Sequence, residues 1–100
     1  MAEIVSFVKR ENAGKAENML RADFDLAAKQ SITVRDAKAL GLKLEGSIFY
    51  ITGSDEGVKK CTELLKPFIA EAKKEELQAA KKKIIEEQDA AAAGVGGIFG

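Results

Sequence analysis

The residues of this chain best suited to chemistry are a set of cations with one tyrosine behind them. Arg10, Lys15, Lys29, Arg35, Lys38 and Lys43 fall in the first half, and Tyr50 follows. Cationic side chains neutralise phosphates and an aromatic ring stacks on a base, which is what RNA or DNA binding requires. Glu11, Asp25, Asp36 and Glu45 are interleaved with them and would neutralise the patch if they share its face. Catalytic chemistry is sparse by comparison. The chain has no histidine, so the commonest general base and metal ligand is missing. The one cysteine, Cys61, sits on the apolar stripe of a helix, where a free thiol behaves as a small hydrophobe. No Cys/His cluster has zinc spacing, and the acids stand among lysines as a solvated face would. Gly94-Val95-Gly96-Gly97 has the look of a phosphate loop, but no helix follows it to supply an N-terminus. The expectation is a protein that is not an enzyme, with no catalytic residues, no metal ligands and no cofactor.

A second candidate feature lies near the C-terminus. Ile98 and Phe99 follow a glycine-rich stretch, an apolar pair at the end of a tether suited to a groove on another protein. A frayed end with no role is the plain alternative.

These residues need elements to position them. Residues 3–9 carry apolar side chains on both alternating faces and predict an interior strand. Glu11-Asn12-Ala13-Gly14 reads as a turn with Asn12 as N-cap, opening a helix over 13–22. Phe24, Leu26 and Ala28 fit a strand over 24–29, favoured because aspartates flank Phe24, although a continued helical stripe from Leu20 fits too. Ser31–Asp36 is a strand with Ile32 and Val34 on one side and Thr33 and Arg35 on the other. Leu40, Leu42 and Leu44 alternate and predict a further short strand. Ser47–Thr52 is the clearest strand, dense in aromatic and β-branched residues. Ser54 then caps a helix whose first turn holds Asp55 and Glu56. Pro67 interrupts that helix. Beyond it Ile69, Ala72, Leu77, Ala80 and Ile84 form a thin stripe in an otherwise charged helix. From residue 68 to 91 such a helix spans ~36 Å, against a diameter of about 28 Å for a compact head, so it is expected to overhang its own domain.

Composition bounds the rest. One hundred residues with 46% apolar content suit one domain with a modest core. Sixteen basic and sixteen acidic residues cancel, giving no overall pull toward polyanions. One cysteine suits a reducing compartment, no run approaches a membrane span, and the first residues lack a secretory pattern, so a cytoplasmic protein is expected.

The block Ser31–Leu42, then Phe49-Tyr50-Ile51-Thr52-Gly53-Ser54-Asp55-Glu56 and the helix starting Val58-Lys59-Lys60, resembles a group of small uncharacterised archaeal proteins similar in fold to the TATA-binding protein. The resemblance covers residues 3 to about 85 and implies a two-layer sandwich ordered strand, helix, four strands, then two helices, with the extra strand at 24–29. It implies no activity, and the phenylalanine pairs by which the TATA-binding protein kinks DNA are missing. Separately, Glu86-Glu87 through Ala90–Ala93 to Gly94-Val95-Gly96-Gly97-Ile98-Phe99-Gly100 resembles the tip of archaeal ribosomal stalk proteins, which implies capture of a protein partner. Val95 and Ile98 stand where those tips carry leucine.

The expected architecture is α+β, a two-layer sandwich with an antiparallel-rich sheet, helices on one face, order β-α-β-β-β-β-α-α and a long C-terminal helix. The expected division is a head at 1–66, a charged helix at 67–91 and a flexible tail at 92–100. The expected function is a non-catalytic binding module that meets nucleic acid, or another anionic macromolecule, with the sheet-side cations and Tyr50. The alternatives are a protein-interaction adaptor working through the C-terminal helix and the Ile98-Phe99 tip, and a small-molecule sensor domain.

Overall fold

The computed structural model describes the backbone of residues 2–99 and the side chains from Ala2 to Asp89. The chain is α+β. Its strands are β1 (Ala2–Lys9), β2 (Ser31–Asp36), β3 (Gly46–Gly53) and β4 (Ile69–Ala70), and its helices are α1 (Arg10–Ala22), α2 (Asp55–Leu65) and α3 (Lys74–Phe99). The four-stranded sheet has the order β2-β3-β1-β4, and every neighbouring pair is antiparallel. Up to β4 this is the split βαβ, ferredoxin-like arrangement, with α3 added after it.

The central strands are apolar on both sides, and their period of two sends alternate residues to opposite faces. Val8, Phe49 and Ile51 point to one face, where Ala16 and Leu20 of α1 and Val58, Cys61 and Leu65 of α2 bury them. Phe7, Ile48 and Tyr50 point to the other, where Ala37, Leu40 and, from α3, Ala80 and Ile84 close a second core. The antiparallel sheet and long C-terminal helix are as the sequence predicts. The expectation of helices on one face is corrected: α1 and α2 share a face and α3 lies on the opposite one. The helix does not stand clear of its domain. Ala80 and Ile84 are fully buried, and Leu77 and Ile85 are packed in part. Burial of Ile84 alone contributes on the order of 2–3 kcal/mol.

The order of elements also differs from the expected run of strands. Residues 24–29 form no strand. Ala28, Lys29 and Gln30 N–H groups donate to the carbonyls of Asp23, Leu26 and Ala27, so the backbone is satisfied locally in a 3-10 turn, and Phe24 is 76% exposed. The segment 37–44 is a 3-10 turn at Lys38–Leu40, closed by Gly41 at φ 82°, a left-handed position that suits glycine. Its leucines alternate because each reaches the second core from a loop. Asn12 lies inside α1, which begins at Arg10, and Lys9 precedes it without a side-chain cap. Pro67 sits in a 3-10 turn, Lys66–Phe68, that leads into β4, so the last helix starts at Lys74 and not at 68. Ser54 does cap α2, its Oγ accepting from Gly57 N at 3.0 Å.

Glycine is demanded most strictly at Gly46, which pairs with Lys9. A Cβ there would lie 2.2 Å from the Val8 carbonyl oxygen and 3.0 Å from Lys9 Cα, both backbone atoms that cannot swing aside. Gly14, in α1, has nothing within 4 Å of its would-be Cβ. Gly46→Ala should therefore cost more than ~2 kcal/mol, whereas Gly14→Ala should gain about 0.5–1 kcal/mol. Urea denaturation of both variants checks the contrast, and equal midpoints would refute this account of the β1–β3 contact.

Candidate functional site

The second face of the sheet carries the groups singled out by sequence. Thr33 pairs with Tyr50 and Arg35 with Ile48, so Arg35 and Thr33 do share Tyr50's face. Phe7 pairs with Ile48 on the neighbouring strand, which places two aromatic rings on the central strands of one face. Uncovered, such a face would be a stacking platform of the kind RNA-binding sheets use. Here α3 lies on it. Tyr50 is 8% exposed and Phe7 5%.

The polar seam between α3 and the sheet is specific. Arg35 Nε donates to Glu87 Oε2 at 3.1 Å, and Arg35 Nη1 donates to the Val34 carbonyl at 3.0 Å. Gln88 Nε2 donates to Thr33 Oγ1 at 3.1 Å. On the other flank of the helix, Lys81 pairs with Glu3 of β1. Glu87 thus occupies the guanidinium where a phosphate would sit. The Arg35–Glu87 pair is about half exposed on both sides, so its stabilising worth is small, ~0–1 kcal/mol. Its effect is to neutralise.

The remaining cations divide by position. Arg10 and Lys43, with Lys9, line a shallow groove of about 390 Å³ shared with Phe7, Glu11, Leu44 and Glu45. Lys38 joins this end of the sheet through Glu45, its Nζ donating to Glu45 Oε1 at 3.3 Å, and Arg10 reaches Asp36 at 3.5 Å. Two of the interleaved acids, Asp36 and Glu45, therefore pair with cations. Lys15 is exposed on α1, away from this groove. Lys29 precedes Ser31, which pairs with Thr52, whereas Asp36 pairs with Ser47, so Lys29 stands at the opposite end of the sheet. The structure brings Arg10, Lys38 and Lys43 together, pairs Arg35 with Glu87 at the flank of α3 and buries Tyr50 under that helix, and leaves Lys15 and Lys29 apart. Ile98 and Phe99 lie beyond the residues whose side chains are described.

Sequence reasoning passed over Glu3, Lys81, Glu87 and Gln88, the residues that seat α3. One signal was present. Lys81 follows Ala80 and precedes Ile84 by three, so a cation borders the apolar stripe itself and needs an acid across the interface. Gln30 was also missed. Its Oε1 accepts from Ser54 N at 3.0 Å and its Nε2 donates to the Leu26 carbonyl at 2.9 Å, tying the turn after α1 to the cap of α2.

Two groups feel the interface. Burial pushes the Tyr50 phenol above its ordinary value, the Glu3 carboxylate adds to this, and the Lys81 ammonium opposes it. The bond to Glu3 raises Lys81. Cys61 is fully buried with Sγ 3.8 Å from the Ala27 carbonyl oxygen, and burial first, then the charge of Asp23, raises its thiol. Such a thiol is inert unless the core opens.

Tyr50 is the only tyrosine and there is no tryptophan, so phenolate absorbance reports one group. It should titrate above the ordinary value of about 10. Glu3→Gln should bring it down and Lys81→Met should raise it further. Both raised groups hold their protons more tightly folded than unfolded. Their contribution is complete below the unfolded values of about 10 and 10.4 and disappears as pH rises through the folded ones. Stability should fall at the alkaline limb, and a Tyr50 titration unchanged by both substitutions would refute the Glu3–Lys81–Tyr50 coupling.

No family model matches the chain, and no curated protein or solved structure is significantly similar to it.

Proposed function

We propose that this protein is a non-catalytic protein-interaction module, an adaptor whose C-terminal helix is part of its body and whose sheet face is not offered to nucleic acid. The observation that carries this reading is the seating of α3 on the second face: Glu87 holds Arg35, and Tyr50 is buried beneath Ala80 and Ile84. A polyanion would have to displace a helix with its own apolar core. At the sheet end Arg10 and Lys38 are paired with Asp36 and Glu45, Glu11 shares the groove with Lys9 and Lys43, and the net charge of the chain is zero. Little long-range attraction for phosphates is left.

The outward surface of α3 supports the same reading. Lys74, Glu75, Gln78, Lys82, Glu86 and Asp89 are exposed and of mixed sign, a surface suited to a protein partner of complementary charge pattern. The backbone remains helical to Phe99, beyond Gln88, the last residue described as bonded to the sheet.

Fluorescence anisotropy of the full chain with single-stranded oligonucleotides tests the choice. Binding should be no tighter than ~10⁻⁴ M at physiological salt. Glu87→Lys frees Arg35 and adds a cation, yet should bring no gain beyond that of a surface charge such as Glu86→Lys. Co-purification from the native extract should retain protein partners after nuclease treatment. Tight binding with a steep salt dependence, or loss of all partners on nuclease treatment, would restore the nucleic-acid reading.

A further inference from the structure

β4 is too short for the strand it borders. It pairs with β1 only at Phe7↔Ala70 and Val8↔Ile69, while β3 pairs with all of β1 from Ala2 to Lys9. Along Ala2–Ser6 the outer edge of β1 therefore has no strand beside it among the described residues. No backbone or side-chain hydrogen bond to this edge occurs among the described residues. In an antiparallel ladder alternate residues turn N–H and C=O outward, so this stretch offers a ready row of donors and acceptors. Ile4 and Val5 on it are half-buried, and Ile69 at its end is 43% exposed.

We propose that this edge pairs with the same edge of a second copy of the chain, joining two four-stranded sheets into one continuous sheet across a two-fold axis. The register is constrained. A two-fold axis perpendicular to the sheet keeps the helical layers of both copies in line only if it passes through a residue, because a half-step would set each side chain against one from the opposite face. Centred on Val5, the overlap would run through Phe7 and Val8, where β4 already sits. Centred on Glu3, it would oppose two carboxylates. Centred on Ile4, it fills Ala2–Ser6: Ile4 meets Ile4, Ala2 meets Ser6, and Glu3 meets Val5 twice. Apolar pairs at the centre and no like charges opposed are what a stable cross-strand set requires. The opposite edge of the sheet, β2, is guarded by the Arg35 guanidinium on the Val34 carbonyl, so growth stops at a pair.

The register gives a specific test. Val5→Glu would place carboxylates opposite Glu3 at both symmetric contacts, and Val5→Lys would place ammonium groups there. Both put a charge at the same half-buried position, beside Glu3 and Lys81 of the same copy, so the folding cost of each is read separately by circular dichroism and association is compared only where both are folded. Sedimentation equilibrium should show a wild-type dimer, at least about tenfold weaker association for Val5→Glu, and association retained in Val5→Lys. A second readout needs no variant: backbone amides of Ala2–Ser6 should exchange more slowly as wild-type concentration rises. A wild type monomeric at all concentrations, equal behaviour of the two variants, or exchange independent of concentration would overturn the proposal. The first of these outcomes includes the case in which the edge takes a strand from another protein.

Discussion

A strand that is apolar on both faces must be covered on both faces, and β3 imposes that condition on everything around it. Ile48, Phe49, Tyr50 and Ile51 are consecutive and all buried. Since neighbours on a strand point to opposite sides, no single layer can cover them. The first half of the chain supplies α1 and contributes to one core, and α2 completes it. The other face, widened by Val5 and Phe7 of β1, is covered only in part, by Ala37 and the leucines at 40, 42 and 44, until the chain has passed β4. α3 is thus required by β3, and its thin apolar stripe is sufficient because the sheet and the loop leucines supply most of the second core.

The composition of α3 fits that task. Alanine at position 80 lets the helix axis approach the sheet, and Ile84 fills the space one turn later. Leu77 and Ile85 seal the margins. The bordering residues are long and charged, and two of them reach opposite flanks of the sheet: Lys81 to Glu3 and Glu87 to Arg35. These exposed pairs add little energy each, but a helix sliding by one turn would lose both at once. They therefore specify its position more than they strengthen its attachment. The functional consequence follows from that position: Glu87 neutralises Arg35 at the surface, and Ala80 and Ile84 pack in the core that buries Tyr50.

Legibility in the sequence followed the length of the signal. β1, β2, β3 and the Ser54 cap have several residues in register with one period or one well-defined cap, and each formed as read. The leucines at 40, 42 and 44 had the right period for a strand but reach the core from a turn around Gly41, so periodicity measured burial there and not conformation. Residues 24–29 misled for a related reason: local turn bonds satisfied a backbone whose apolar residues were too few to demand a sheet. β4, with two residues, has no period to detect. The covered face was readable in principle, since residues 3–9 and 47–52 carry apolar groups on both sides. The reading failed by weighing the helix stripe alone and not the surface it had to satisfy. For the candidate site, residue types and the shared face of Arg35 and Tyr50 were legible, while the pairing of Arg35 to Glu87 and the burial of Tyr50 under α3 depend on contacts between residues far apart in the chain.

Edges are the other half of the problem that faces pose. A sheet with both faces covered still exposes main-chain groups at its margins, and the two margins here are treated differently. On β2 the carbonyl of Val34 is met by the chain's own Arg35, so a side chain blunts that margin. On β1 the early end of β4 leaves a bare stretch beside apolar Ile4, Val5 and Ile69. If both margins were open, copies could add without limit, as heterologous contacts do. With one guarded and one bare, addition closes on itself after a single step. The brevity of β4 follows from the demand of β3: the chain leaves the sheet at Ala70 and crosses to the partly covered face, reaching α3 by Lys74. Covering a face is thus what leaves an edge exposed.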